Sequence, residues 1–373
     1  MSPDFARWQH YNPVRVVAGP GALGELPALL PERGAILLVT TAGFTRRGIT
    51  GRVAALVERP GERHLVVHDS VTPNPELDDL ERAAERHRAS SPVAVLAIGG
   101  GSAIDAGKAI AAILDAQEAH PLHRVFREGA QATWSGRISL VAVPTTAGTG
   151  SEVTPFATVW DQRTHRKFSV AGDTVFPSAC VLDPELTLSL GHDDTLYPAL
   201  DTISHALESL WNRHATPVSE ALALGALRIA ADALPTVLAD GHDLRARAGM
   251  QQASMMAGQA ISHTRTALAH SISYPLTLHH GVPHGLACSF TLPALLRRHV
   301  DALATDPARR EVLSRIAGML AGLGLDEHVR RFATPAQVLA LLPQMNTPGR
   351  ADNFIFAPDT EAVLRESMAT SAD

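Results

Sequence analysis

Four short apolar runs, separated by helical stretches, constrain the fold of this chain more than any other feature. AILLVT (35–40), HLVVHD (64–69), VAVLAIG (93–99) and ISLVAVP (138–144) are β-branched and almost continuously apolar. Such runs fit strands buried on both faces of a parallel sheet. Between them, GRVAALVER (51–59) and ELDDLERAAERHR (76–88) have helical patterning. This alternation predicts a doubly wound α/β domain. The earlier VRVVAGPGALGELPALL supplies an edge strand, a glycine turn and a first helix. Near Asp183-Pro184 the character changes. SEALALGALRIAADALPTVLA (219–239), LRARAGMQQASMMAGQAIS (244–262) and RREVLSRIAGMLAGLG (309–324) read as amphipathic or buried helices, with almost no strand pattern around them. The expectation is an α/β domain with a parallel sheet over 1–184 and an all-helical domain over 185–373.

Composition narrows the partners. The formal net charge is -6 over 373 residues, which gives no reason to expect nucleic acid or an anionic membrane. No uncharged apolar run approaches membrane-spanning length. The opening MSPDFARWQHYNP lacks a basic-then-apolar leader. Cys180 and Cys288 show no motif spacing and suit a reducing cytoplasm. The final ATSAD is expected to fray. Of the 32 Lys and Arg residues, only Lys108 and Lys167 are lysine. A lysine kept against that background marks a place where a compact ammonium and a planar fork are not equivalent.

The strand VAVLAIG runs into Gly99-Gly100-Gly101-Ser102 and then a helix. Glycines let backbone N–H groups approach a pyrophosphate, and a helix N-terminus adds orphan donors and positive dipole. Ser102 can cap the helix or bond a phosphate oxygen. The usual G-x-G-x-x-G fingerprint is absent, and a tight turn without ligand is the alternative. Lys108, a few residues on, adds weight to the phosphate reading. A second polar turn, Pro144 to Glu152, follows the next strand, where ligands bind open α/β sheets. Two such loops after adjacent strands point to a dinucleotide. After AILLVT there is no acid for a ribose 2′-hydroxyl, but Thr41 and then Arg46-Arg47. That pattern favours NADPH over NADH, unless the arginines only solvate a helix start.

Asp201 and His205 stand four apart in ALDTISHALESLW, which puts both on one helix face. His270 lies in TALAHSISYPL and His284 in GVPHGLA. With 18 histidines in the chain, each signal alone could be incidental. Together they exceed chance, because each sits in an apolar segment where an ionisable group needs a partner. Three imidazoles and one carboxylate suit Fe(II) or Zn(II). A metal beside a nicotinamide suggests hydride transfer at a carbonyl.

These motifs, in order, resemble the iron-dependent alcohol dehydrogenases. GGGSAIDAGKAIA (99–111), VPTTAGTGSEVT (143–154), the Asp201-x3-His205 helix, VPHG (282–285) and the Pro73-Asn74-Pro75 turn all match. The resemblance implies a Rossmann-like dinucleotide-binding domain, a helical metal domain and a cleft between them. It implies Asp201, His205, His270 and His284 as metal ligands. It implies Gly99, Gly100, Gly101, Ser102, Thr145, Thr146 and Ser151 as cofactor contacts, with Thr41, Asn74 and Lys167 beside them. A homodimer or larger homo-oligomer is also implied.

Two departures from the family pattern concern the substrate. Where many members carry a relay histidine four residues after the third ligand, this chain has Tyr274, so the proton comes from Tyr274, from His279 or His280, or from water. Before His270 the usual small polar Asn-Ala is replaced by His263-Thr264-Arg265-Thr266-Ala267. Arg265 facing the site would grip an anionic substrate; facing outward it would do nothing. TRTALAHSISYPLT with HGVPHG resembles the branch that reduces phosphonoacetaldehyde in phosphonate biosynthesis. The expected reaction is therefore NAD(P)H-linked reduction of a small anionic aldehyde. Reduction of another aldehyde or keto acid, such as maleylacetate, is the alternative. A dehydroquinate-synthase-like lyase fits less well, since it uses another ligand set and more lysines.

Overall fold

The computed structural model describes residues 7–369 except Gln117, His165 and Pro358. Most of the tail expected to fray, 370–373, lies outside them. By contacts the chain forms two compact units. One comprises Asn12–Thr146 with Gly150–Ser189; the other comprises Leu190–Asp373 with Met1–Tyr11 and Ala147–Thr149.

The first unit is built on a six-stranded sheet whose pairings are all parallel. Its strands are β1 (Arg15–Ala18), β2 (Gly34–Val39), β3 (Arg63–His68), β4 (Pro92–Gly99), β5 (Ser139–Pro144) and β8 (Ala179–Leu182), in spatial order β1-β8-β5-β4-β2-β3. The apolar runs form these strands because they satisfy the ladder and lose both faces to packing. Ile36, Leu38, Leu96, Ile98, Val141 and Val143 are essentially buried, each such side chain contributing about 1.5–3 kcal/mol. Two further strands, β6 (Phe156–Asp161) and β7 (Arg166–Ala171), form a separate antiparallel hairpin. The sequence reading did not include that hairpin or β8.

Helix α1 (Leu77–Arg88) follows β3 and is capped by Glu76, whose side chain accepts from the amides of Asp78 and Asp79. Helix α2 (Gly101–Asp115) follows β4. The chain runs outward from β2 to β3, then returns to place β4 on the other side of β2. The carboxyl ends of β2 and β4 therefore flank the switch point of the sheet, the position where open α/β sheets bind ligands.

The second unit is helical throughout its described residues beyond Leu190, apart from one isolated bridge between Asn212 and Phe354. Helices α3 (His192–Leu210), α4 (Pro217–Ala239) and α5 (Leu244–Thr264) pack on one another. Helix α6 (Leu268–His280) and the single turn α7 (His284–Ala287) follow. Helix α4 is long and apolar enough to cross a membrane by composition. It instead buries Ala223, Ala226, Leu227, Ala230, Leu234 and Val237 in the helical core, a helix-period stripe.

Candidate active site

Helix α3 presents Asp201 and His205 one turn apart, and both are buried. His270 lies in the first turn of α6 and His284 opens α7. Asp201 Oδ1 lies 3.4 Å from His205 Nε2, 3.3 Å from His270 Nε2 and 4.0 Å from His284 Nε2. The His205 and His270 rings stack at 4.8 Å. Four donors around one ion at ~2.1 Å bonds would be roughly 3.4 Å apart in a tetrahedron. The separations of Asp201 from His205 and His270 match that and the one from His284 is longer; the donors that all lie within 4.8 Å of one another are those of Asp201, His270, His284 and Cys288, with His205 outside that group. His270 Nε2 is buried and makes no well-aligned hydrogen bond with protein, as expected of an atom kept for a ligand.

The carboxylate and the imidazoles shift one another strongly. Burial alone would raise the Asp201 carboxyl, but His205, His270 and His284 hold it well below the usual carboxylate range. Burial lowers His205 to about 4 against the opposing Asp201. Burial also pulls His270 down, yet Glu208 and Asp201 outweigh it and raise His270 to about 10. Were a divalent ion held here, Asp201, His270 and His284 would be its donors, and binding would be coupled to loss of the His270 proton.

Two residues at this centre escaped the sequence reading. Glu208, fully buried, has Oε2 2.7 Å from His270 Nδ1. Cys288 places Sγ 3.3 Å from Asp201 Oδ1 and joins Asp201, His270 and His284 in one cluster of candidate donors. Both had signals: an acid three residues after His205 within an apolar helix, and a cysteine one helical turn after His284.

The close approach of α7 to α3 depends on Gly285. A Cβ there would sit 1.8 Å from the Tyr197 carbonyl oxygen and 3.3 Å from Asp201 Cβ. This accounts for the glycine in VPHG. Gly148 has a similar cause, since a Cβ on it would lie 2.7 Å from Pro198 Cβ on α3. Thr202 also donates its hydroxyl to the Gly148 carbonyl at 3.3 Å.

In the α/β unit the two polar loops lie beside each other: the Thr145 amide donates to the Gly99 carbonyl at 2.9 Å. Gly100 is the N-cap of α2, so Gly101 and Ser102 begin the helix and their amides have no intrahelical acceptor. Ser102 Oγ accepts from the amide of Asn74, which has a left-handed backbone (φ 57). Thr41, at the end of β2, is the N-cap of the short turn Ala42–Arg46. Thr146 is half-buried beside Gly100. Arg46 and Arg47 are exposed, Arg47 lying over the Phe44 ring.

Three further residues that the sequence singled out have these contacts in this unit. Lys108 is buried and points inward, donating to the carbonyls of Thr154 and Phe156, both at 2.8 Å. It ties the strand-to-loop segment down, and an ammonium held this way gives no support to a bound phosphate. Ser151 is buried, and its hydroxyl donates to Asp105 at 2.5 Å. Lys167 stands exposed on β7 with its ammonium 5.6 Å from the Trp160 ring centre.

On the helical side, Tyr274 lies one turn beyond His270 and shares its face of α6. His280 ends that helix, roughly 15 Å along its axis from His270. His279 Nε2 is 3.0 Å from Gln344 Oε1. Arg265 is exposed and holds φ 60, ψ 178, a backbone region nearly reserved for glycine. Its amide donates to Ile261, and its carbonyl accepts from Asn212 Nδ2 at 3.1 Å and Thr264 Oγ1 at 3.0 Å.

Residues 13–184 match the domain of iron-containing alcohol dehydrogenase, and residues 195–356 match the C-terminal domain of the same family. The chain belongs to the iron-containing alcohol dehydrogenase family. As a member it is an oxidoreductase, and its Rossmann-like and helical units follow the family's architecture. Among its relatives is a phosphonoacetaldehyde reductase of Streptomyces viridochromogenes, 39% identical over 294 residues, covering 76% of this chain and 73% of that one. The NAD-dependent methanol dehydrogenase of Bacillus methanolicus is 30% identical, covering 83% and 79%. A sulfoacetaldehyde reductase of Bilophila wadsworthia is 29% identical, covering 76% and 73%. Of solved structures, sulfoacetaldehyde reductase from Bifidobacterium kashiwanohense in complex with NAD+ superposes with a TM-score of 0.84 at 27% identity, covering 97% and 98%. A 1,3-propanediol oxidoreductase superposes at 0.85 with 23% identity, a likeness of fold alone.

Proposed function

We propose that this dehydrogenase reduces a small anionic aldehyde to its alcohol, with phosphonoacetaldehyde giving 2-hydroxyethylphosphonate in phosphonate biosynthesis. The observation that carries the reading is the 39% identity to a phosphonoacetaldehyde reductase. Arg265 adds to it: an exposed guanidinium on a strained backbone, with no carboxylate partner among the described residues. Such strain costs of order 1–3 kcal/mol and tends to persist where function uses it. A free guanidinium suits a phosphonate, which accepts two parallel N–H bonds.

Asp201, His205, His270 and His284 are the residues proposed to hold the metal, Fe(II) in the working enzyme with Zn(II) as competitor. The ion supplies Lewis acidity at a carbonyl oxygen, and a reduced nicotinamide supplies the hydride. Asp201 is the one anionic member of the set, and it stays ionised among the three imidazoles. The open amides after Gly99 and Gly100, with Ser102 and Thr145, offer donors to a pyrophosphate. Thr41, in place of an acid, leaves room for a 2′-phosphate, which favours NADPH. Tyr274 Oη is the proposed proton donor to the product oxygen, because it shares the His270 face while His280 lies at the helix end. Arg265 binds and orients the substrate's anionic group.

A second reading has its own support: relatives by sequence and by structure are sulfoacetaldehyde reductases. A sulfonate offers the same three-oxygen anion with one charge fewer. Steady-state assays with phosphonoacetaldehyde, sulfoacetaldehyde and a neutral aldehyde of equal size decide between them, run with NADPH and NADH and with Fe(II) and Zn(II). The proposal expects the highest kcat/KM for phosphonoacetaldehyde with NADPH. A preference for the neutral aldehyde would remove the anionic class altogether.

A further inference from the structure

We propose that Glu208 is a positioning residue for His270: its carboxylate keeps the imidazole proton on Nδ1, so that Nε2 is presented as a lone-pair donor facing Asp201. The inference rests on the reading of His270 as a metal ligand.

Four N–H groups converge on this carboxylate. Oε2 accepts from His270 Nδ1 at 2.7 Å and from the Ala267 amide at 2.8 Å. Oε1 accepts from the Ala269 amide at 2.6 Å and the His270 amide at 3.2 Å. Glu208 is 0% exposed. A buried charge with no Lys or Arg against it among the described residues needs such an array of donors to be tolerated. Every partner is a donor, so only a group that accepts at both oxygens fits. A carboxamide would turn its NH2 toward two N–H groups whichever way it flipped.

The placement follows from α3. Glu208 stands seven residues after Asp201, two helical turns along the same face. One face of one helix thus carries two proposed ligands and the support for a third. The same carboxylate closes the N-terminus of α6, whose first-turn amides it accepts. The start of α6 and the ring orientation of His270 are set by one group. At the opposite ring nitrogen, His270 Nε2 lies 3.3 Å from Asp201 Oδ1. Carboxylate–histidine–metal arrangements of this kind raise ligand basicity, and loss of the carboxylate typically lowers metal affinity 10–100-fold.

The test uses the full-length protein stripped and reloaded with Co(II), whose d–d absorption reports the ligand field. Dissociation constants come from competition with a chelator. Glu208→Gln is expected to weaken Co(II) binding 10–100-fold and to change the absorption, with Glu208→Asp restoring part of the affinity. In a His270→Ala background, Glu208→Gln should weaken Co(II) binding much less than in the wild type, because the part of its effect that passes through that ring is already gone. A folded Glu208→Gln protein with wild-type affinity and spectrum, alongside a weakened His270→Ala, overturns the positioning role alone. An unweakened His270→Ala overturns the ligand reading on which it rests. Should Glu208→Gln fail to fold, imidazole 15N resonances of the Zn(II)-loaded wild type decide: the His270 signal, assigned by its loss in His270→Gln, carries its proton on Nδ1 if the inference holds and on Nε2 if it does not.

Discussion

Gly285 and Tyr197 are in contact through backbone: a Cβ on Gly285 would lie 1.8 Å from the Tyr197 carbonyl oxygen. Helix α3 cannot yield there without moving Asp201, one turn further on. Gly285→Ala is therefore expected to separate α7 from α3 and carry His284 away from Asp201. Overpacking of this kind costs about 1–3 kcal/mol, or more when backbone must move. Metal content after purification and the thermal midpoint report the two effects. A variant that keeps full metal would show that His284 does not depend on this contact.

Burial lowers Lys108 to about 8, partly opposed by Asp105 and Glu152, and its ammonium donates to two main-chain carbonyls. Lys108→Met should destabilise the chain by about 3–5 kcal/mol, because the carbonyls and acids are left without their cation. Lys108→Arg should not rescue it, since the guanidinium exceeds the space of a compact ammonium. Urea unfolding followed by circular dichroism measures both. A wild-type midpoint for Lys108→Arg would remove the explanation for a lysine among arginines.

Burial raises Glu152 from 4.5 to about 7, with its own amide and Lys108 opposing. A raised folded-state value means the folded protein binds more protons than the unfolded chain between those two pH values. The stabilising contribution is full below pH 4.5 and is lost as pH rises through about 7. Glu152→Gln should match wild type at the acid end and gain on the order of 1–3 kcal/mol above pH 7. Stability curves at several pH values, for both proteins, test the divergence. Parallel curves would rule out titration of Glu152 in this window.

Removing the proposed ligands one at a time separates metal binding from folding. Asp201→Asn and His205→Ala should each lose the metal and about 10²–10³-fold or more in kcat. Far-ultraviolet circular dichroism should be unchanged. Chelation of the wild type should reproduce the loss, and Fe(II) should reverse it. Activity that survives chelation would sever the metal from the reaction.

Arg265→Ala is expected to raise KM for a phosphonate or sulfonate aldehyde by roughly 10–100-fold, as for loss of a charge-assisted bidentate contact, with little change for a neutral one. Arg265→Gly should raise KM similarly while relieving the φ 60 strain, so its thermal midpoint should rise. Equal KM changes for charged and neutral aldehydes would assign Arg265 to the fold rather than to the substrate.

The reading of elements from sequence succeeded where apolar period and length agree. β2, β3, β4 and β5 fall within a residue or two of their apolar runs. β8 (ACVL) is only four residues long and sits between loops, too short for periodicity to distinguish it. The β6–β7 hairpin mixes exposed and buried positions, and its turn gives no Asn-Gly or Asp-Gly signal. Composition singled out Lys108, but the direction of its side chain is a property of packing. From the sequence it pointed to phosphate; in the structure it holds Thr154 and Phe156.

Sequence alone determined the class of each unit, the family, and the set Asp201, His205, His270 and His284 as metal-ligand candidates. The unit classes follow from local period, the ligand candidates from ionisable residue types in apolar segments, and the family from the resemblance of ordered motifs, all of which the chain carries without being folded. Only the tertiary structure decided that three imidazoles face one carboxylate oxygen, that Glu208 and Cys288 join them, and that Ser151 serves Asp105. Those facts depend on where helices far apart in sequence come to rest. The geometry there is set by contacts such as Gly285 on Tyr197, in which the missing Cβ matters more than any group present. Spacing along the chain cannot reveal such a contact, because it exists only once both helices are packed.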